Sequence, residues 1–134
     1  MKIEKIINNI ALEFGLKIIM IDDKNQSFCA DRNIYIGQYD NEEFKLISFF
    51  HEIGHTLISQ SFIKLCNFNT LLIEIECWNI GIKKALERKI FFSDEAIQWG
   101  LQQSLTYVGH DKRECLRWNE EYKPLLIINR IKDN

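Results

Sequence analysis

Apolar residues recur at helical spacing at the start of the chain, which predicts an amphipathic first helix with Gly15 as its C-cap. Its apolar positions are Ile3, Ile6, Ile7, Ile10, Ala11 and Phe14. Three short runs of strand-like composition follow, separated by Asp- and Asn-rich clusters typical of turns. They predict a small antiparallel sheet with strands at Lys17–Ile21, Ser27–Ala30 and Asn33–Gly37.

The next segment has almost no polar face, which predicts a buried central helix from about Asn41 to about Gln60. Asp40 is the expected N-cap, with Glu43 three residues later in the capping-box position. Further helices are predicted from the apolar spacing and the capping residues. They cover Thr70 to about Lys89, capped by Asn69 or Thr70, then Asp94–Val108, capped by Ser93 and stopped at Gly109, and Arg113–Glu121 before Pro124.

Length and element order together predict a single α+β domain over residues 1–134, with residues 91–134 forming a helical C-terminal part. Hydrophobic residues make up 46% of the chain and charged residues 27%, a balance that supports a packed core. A formal net charge of −2 supplies no basic field for nucleic acid, so direct nucleic-acid binding is not expected.

The N-terminal segment is too polar and too short for a signal peptide or a membrane span, which predicts a cytoplasmic protein without membrane association. The cysteines lie far apart and form no CxxC pair, so they are expected to be reduced and mostly buried thiols. They are Cys29, Cys66, Cys77 and Cys115.

The segment His51-Glu52-Ile53-Gly54-His55 carries the clearest chemical signal. Residues four apart lie on one face of a helix, so both imidazoles can bind the same ion. Glu52 lies about 100° around the helix and can reach a water at that ion as a general base. Two imidazoles and a carboxylate in an apolar helix are costly to bury without a shared partner. The pattern therefore predicts a catalytic zinc site, in preference to a chance match between hydrogen-bonded histidines.

The third protein ligand of such a site is expected on the next helix, where Glu74 and Glu76 are the available carboxylates. They lie two positions apart and hence on opposite flanks of an apolar stripe centred near Ile75 and Ile82. At most one of the two can face the metal. Helical periodicity alone leaves the choice between them open.

Several segments resemble the ImmA/IrrE family of metallopeptidases over roughly residues 1–90. Asn33-Ile34-Tyr35-Ile36-Gly37 is similar to the family's edge strand, residues 49–57 to its HExxH helix, and Glu76-Cys77-Trp78 to its third-ligand motif. The resemblance implies a zincin-like fold and selects Glu76 as the third ligand, with Cys77 in the place of the usual alanine. Glu74 is then expected on a solvated flank.

The zinc site predicts hydrolysis of a peptide bond, and the resemblance implies a cytoplasmic regulatory protease of phage or mobile-element type that cleaves a transcriptional repressor. A non-proteolytic hydrolase, a toxin or anti-defence factor, and a zinc-stabilised binding module are the alternatives on the same scaffold.

The substrate peptide is expected to bind as an extended strand along Ile34, Tyr35 and Ile36, at the rim of the sheet. An ordinary paired strand is the alternative. His110, at the predicted end of a helix, is either a surface residue that compensates the helix dipole or a contact for substrate or an oxyanion. Tyr107 is either a core residue of its helix or a contact for substrate or an oxyanion.

Overall fold

The computed structural model describes residues 2–105. These residues form a mixed α+β structure of five helices and a three-stranded sheet. The elements, in chain order, are α1 (Ile3–Glu13), β1 (Lys17–Lys24), β2 (Ser27–Ala30), β3 (Asn33–Gln38), α2 (Glu42–Leu57), α3 (Gln60–Leu65), α4 (Thr70–Glu87) and α5 (Asp94–Leu105). The predicted α1 and all three strands are confirmed, whereas the short α3 was not predicted. The C-cap of α1 is Phe14, and Gly15, the predicted C-cap, follows it with a positive φ.

The sheet is mixed and has the order β1-β3-β2, which corrects the prediction of an antiparallel sheet. β2 and β3 form an antiparallel hairpin around Asp31 and Arg32, both of which have positive φ. β1, in contrast, runs parallel to β3. Within the described part of the chain, β3 is therefore the central strand and β2 lies at an edge.

The path of the chain from β1 to β2 explains this strand order. The connection after β1 passes over the end of β3, where the Gly37 amide donates to the Gln26 carbonyl at 2.8 Å. A Cβ at Gly37 would lie 2.2 Å from the Asp23 carbonyl oxygen, so a residue with a side chain cannot occupy this position without displacing backbone. The close approach carries the chain to the far side of β3.

Helix α2 lies in the centre of the fold, and most of its residues are buried, as the apolar segment predicts. Its N-cap is Asn41, whose side chain accepts from the Phe44 amide, and not the predicted Asp40. Glu43 is likewise not part of a capping box: its carboxylate accepts from the amide and hydroxyl of Ser93. Ser93 in turn caps α5 as predicted, so Glu43 connects the beginnings of two helices.

Helix α4 packs against α2 through contacts that require glycine. A Cβ at Gly54 of α2 would lie 2.0 Å from the Cys77 carbonyl oxygen, and one at Gly81 of α4 would lie 2.3 Å from that of Phe50. The two backbones therefore approach each other more closely than side chains would allow. Asn69 caps α4, as one of the two predicted alternatives.

No helix among residues 2–105 is long and apolar enough to cross a membrane. The predicted helix at Arg113–Glu121 and the end of α5 at Gly109 lie outside the described residues, as does Cys115. Cys77 is buried, and Cys29 and Cys66 are partly buried free thiols.

Candidate metal centre

The structure brings together the three polar residues of the HExxH segment near the C-terminal end of α2. Potential ligand atoms of His51, Glu52 and His55 lie within 4.8 Å of one another. The helical spacing predicted this arrangement for the two imidazoles. Glu52 is buried, with 5% of its surface exposed, in a helix whose other buried residues are mainly apolar.

Glu74 of α4 completes this cluster, which corrects the expectation that Glu76 does so. One carboxylate oxygen of Glu74 lies 2.8 Å from His51 Nε2, and the other lies 3.1 Å from His55 Nε2. Glu74 is also buried, not on a solvated flank as expected. Glu76 is two positions further along and so points to a different side of the helix.

The phase of α4 explains the correction. The residues that α4 buries are Leu71, Glu74, Cys77, Trp78, Gly81, Ile82 and Ala85. Its closest approach to α2 is at the small residues Cys77 and Gly81, spaced by four, whereas the predicted stripe was centred near Ile75 and Ile82. Glu74 lies three residues before Cys77 and therefore on the same side of the helix.

Two atoms of this cluster lack a well-directed hydrogen-bond partner in the described part of the chain. His51 Nε2 and Glu74 Oε2 are both buried and 2.8 Å apart, yet neither has a properly directed hydrogen bond among the described residues. Buried polar groups are nearly always satisfied, so an orphaned nitrogen and oxygen that face each other need a further partner. Two imidazoles and one carboxylate are also the donor set of a catalytic zinc site. The residues present fit a zinc ion.

Electrostatics within the cluster are strongly perturbed. Burial raises the pKa of Glu52 to about 7 and lowers that of His51. Burial also opposes the charge of His55, but contacts with Cys77 and Glu74 outweigh it and raise the pKa of His55 to about 11. Burial acts against Glu74 too, yet contacts with both histidines lower its pKa to about 2. The pKa values of the two histidines are therefore shifted in opposite directions, although both imidazoles contact Glu74.

Residues of α4 also fix the two imidazoles from the side. The indole of Trp78 stacks on His51, with ring centroids 4.0 Å apart and planes within 9°. The same indole packs against Gly100 of α5, where a Cβ would lie 2.4 Å from it. Cys77 contacts His55 as a hydrogen-bonding partner. The sequence reasoning missed both roles, although Cys77 and Trp78 follow Glu74 at the spacing of one helical turn.

Three cavities lie in a row along β2. The cavity at the cluster has a volume of about 230 Å³ and is lined by Ser27, Phe28 and Cys29 of β2 and by the four cluster residues. A cavity of about 400 Å³ adjoins it at Ser27, His51 and Glu52. A third, of about 370 Å³, adjoins it at Cys29 and extends to Arg32 and Leu57. β2 therefore forms one wall of a groove that passes the cluster of His51, Glu52, His55 and Glu74.

This placement corrects the predicted substrate strand. Ile34 and Ile36 of β3 are fully buried, and Tyr35 stacks on Phe28 on the opposite face of the sheet. β3 is paired on both sides, which is the alternative that the sequence analysis left open. The strand beside the site is β2. Strand-like composition marks both segments, so composition could not identify the edge.

The remaining predicted site residues, Tyr107 and His110, lie outside the described residues. Searches of family models, of curated proteins and of solved structures found no match to this chain.

Proposed function

We propose that this protein is a zinc-dependent peptidase with a zincin-like site, in which His51, His55 and Glu74 hold the metal and Glu52 is the general base. The observation that carries the proposal is the contact of His51 Nε2 and His55 Nε2 with the two carboxylate oxygens of Glu74, in a cavity that the buried Glu52 also lines. Three protein ligands leave a fourth position open, as catalytic zinc sites require.

The residues of the cluster suit the steps of hydrolysis. Zinc at this position would lower the pKa of a bound water and polarise the carbonyl of the scissile bond. Glu52 accepts the proton of the attacking water and returns it to the leaving nitrogen. Burial raises the pKa of Glu52, which favours its acting as a proton acceptor. Zinc would bind the neutral imidazoles, so its affinity should fall as they become protonated at low pH.

The edge strand β2 suits an extended polypeptide as substrate. The hydrogen bond from Gly37 to Gln26 fixes the alternation of the hairpin, so that Ser27 and Cys29 direct their backbone groups away from β3. Their backbone groups can pair with a peptide that lies in the groove. The resemblance to ImmA/IrrE peptidases extends this proposal to a cytoplasmic protease acting on a repressor-like protein.

The test uses Glu52→Gln, which keeps the size of the side chain but removes the base. Zinc-loaded wild-type protein should cleave members of an unbiased peptide library, as detected by mass spectrometry. Glu52→Gln should retain one zinc per chain while its turnover falls by roughly 10²–10⁴-fold, the range expected for loss of a general base.

A matched control is Glu76→Gln, which makes the same change on α4 away from the cluster and should leave turnover unchanged. Zinc binding without cleavage of any peptide by the wild type would instead identify a zinc-stabilised binding protein. Undiminished cleavage by Glu52→Gln would contradict the mechanism.

A further inference from the structure

A pair of hydroxyl groups, which the proposed function does not use, lies in the groove beside the cluster. The Tyr39 hydroxyl and the Ser27 hydroxyl are 2.8 Å apart and hydrogen-bonded. Ser27 belongs to the edge strand β2, whereas Tyr39 lies just before the N-cap of α2. Both residues line the cavity of about 400 Å³ that also contains His51 and Glu52.

The position of the phenol relative to Glu52 follows from helix geometry. A third hydroxyl, that of the buried Ser48, is also close enough to the phenol to act as a hydrogen-bonding partner. Ser48 lies four residues before Glu52 and hence one turn along the same face of α2. The Tyr39 hydroxyl therefore lies toward the side of α2 that carries Glu52, and both residues line the same cavity.

The phenol is held in place by its surroundings. Its ring packs edge-to-face on Trp99, at a centroid distance of 6.0 Å, and Trp99 stacks on Phe44 at 4.5 Å. A side chain that is fixed before substrate binds loses little freedom when it acts, which is the condition for effective electrostatic stabilisation. Burial also raises the pKa of Tyr39, so the group remains a neutral donor.

The Ser27–Tyr39 pair has one hydroxyl proton left to donate to a further acceptor. Each hydroxyl brings one proton, and the bond between Ser27 and Tyr39 uses one of the two. If Ser27 donates to the phenol oxygen, the phenolic proton is available to another acceptor. Ser48 is a neutral acceptor, and an oxygen that develops negative charge is a stronger one.

We propose that Tyr39 is a further catalytic residue, whose hydroxyl donates a hydrogen bond to the carbonyl oxygen of the scissile peptide bond as that oxygen becomes negative. This inference rests on the proposed peptidase function. As water adds to the carbonyl carbon, the π electron pair moves to the oxygen and Glu52 takes the proton of the water. When the carbon–nitrogen bond breaks, the oxygen regains its double bond and the nitrogen receives that proton.

The experiment compares Tyr39→Phe with Tyr35→Phe, using a library peptide that the wild type cleaves. Both changes remove one hydroxyl, but Tyr35 lies on the opposite face of the sheet, stacked on Phe28 at 4.6 Å. Loss of a hydrogen bond to a charged group should lower kcat of Tyr39→Phe by about 10–10²-fold. KM and zinc content should not change, and Tyr35→Phe should match the wild type.

A second measurement separates a catalytic from a structural role. The phosphinic analogue of the same peptide has a tetrahedral, anionic centre, so Tyr39→Phe should weaken its binding by about the factor lost in kcat. Binding of the uncleaved peptide, measured in a Glu52→Gln background, should stay the same. Ser27→Ala keeps the phenol but removes its anchor and should lower kcat by a smaller factor.

The outcomes distinguish the two proposals. An active wild type with an unchanged kcat in Tyr39→Phe, or with a change in KM alone, would overturn the role of Tyr39 and leave the peptidase function intact. Equal weakening of the phosphinic and the uncleaved peptide would also overturn it. A wild type that cleaves no library peptide would overturn both.

Discussion

The two walls of the groove at the metal cluster are built in opposite ways. On the side of α4, helix backbones touch at Gly54 and Gly81, and Glu74 and Trp78 press directly on the imidazoles. On the side of β2, three cavities separate the strand from the helices. The packed wall holds the candidate metal ligands in direct contact with one another, whereas the open wall leaves room for a ligand.

The largest effect that tests this contrast is expected at Glu74 of the packed wall. Glu74→Gln should leave the fold of α4 unchanged, but it removes the charge of the carboxylate that contacts both histidines. Zinc affinity should fall by more than the roughly 10–100-fold typical of losing a partner outside the ligand shell. Glu76→Gln should bind zinc like the wild type. Titration of each protein with zinc, followed by calorimetry, measures the difference, and the reverse result would restore Glu76 as the ligand.

A smaller effect is expected where the two helix backbones touch. Gly54→Ala places a Cβ about 2.0 Å from the Cys77 carbonyl oxygen, so α4 must move away from α2. Overpacking of this kind costs about 1–3 kcal/mol, against which the better helix propensity of alanine offsets at most about 1 kcal/mol. Chemical denaturation should show reduced stability, and zinc affinity should fall because His55 and Glu74 separate.

The exposed Ser61 on α3 provides the control for this change. Ser61→Ala alters a helical position without a neighbouring backbone and should leave both stability and zinc affinity near the wild-type values. If Gly54→Ala were as stable as the wild type, the close approach of α2 and α4 would not set the geometry of the cluster.

The smallest effect is expected on the open wall. Cys29→Pro removes one backbone donor that points away from β3, at a strand edge where proline is tolerated. Loss of a single hydrogen bond to substrate, about 0.5–1.5 kcal/mol, should lower kcat/KM by about 2–10-fold. Cys29→Ala keeps the donor and should cleave normally. Circular dichroism and zinc content should match among the three proteins, and equal cleavage by all three would contradict docking on β2.

Sequence patterns predicted the cluster residues of α2 better than either wall of the groove, for physical reasons. His51, Glu52 and His55 lie on one helix, so their arrangement follows from local geometry. The choice of Glu74 depends on the phase at which α4 meets α2. That phase is set by small residues, which a stripe of bulky side chains does not reveal.

The order of the strands depends on a single crossing. The sequence predicted all three strands, but the position of β3 in the centre follows from the close approach at Gly37. This contact joins segments that are neighbours only in the folded chain, so it produces no periodic pattern in the sequence. For the same reason Ser27 and Tyr39, twelve positions apart, gave no sign that their hydroxyls meet.

The stacking of Trp78 on His51 also gives the candidate metal centre an intrinsic fluorescent reporter. An indole in face-to-face contact with an imidazole at 4.0 Å senses the charge on that ring in its excited state. Protonation or metal binding at His51 changes that charge at the far side of the ring. The intrinsic fluorescence of the protein should therefore follow occupancy of the centre directly, without a label and without a substrate.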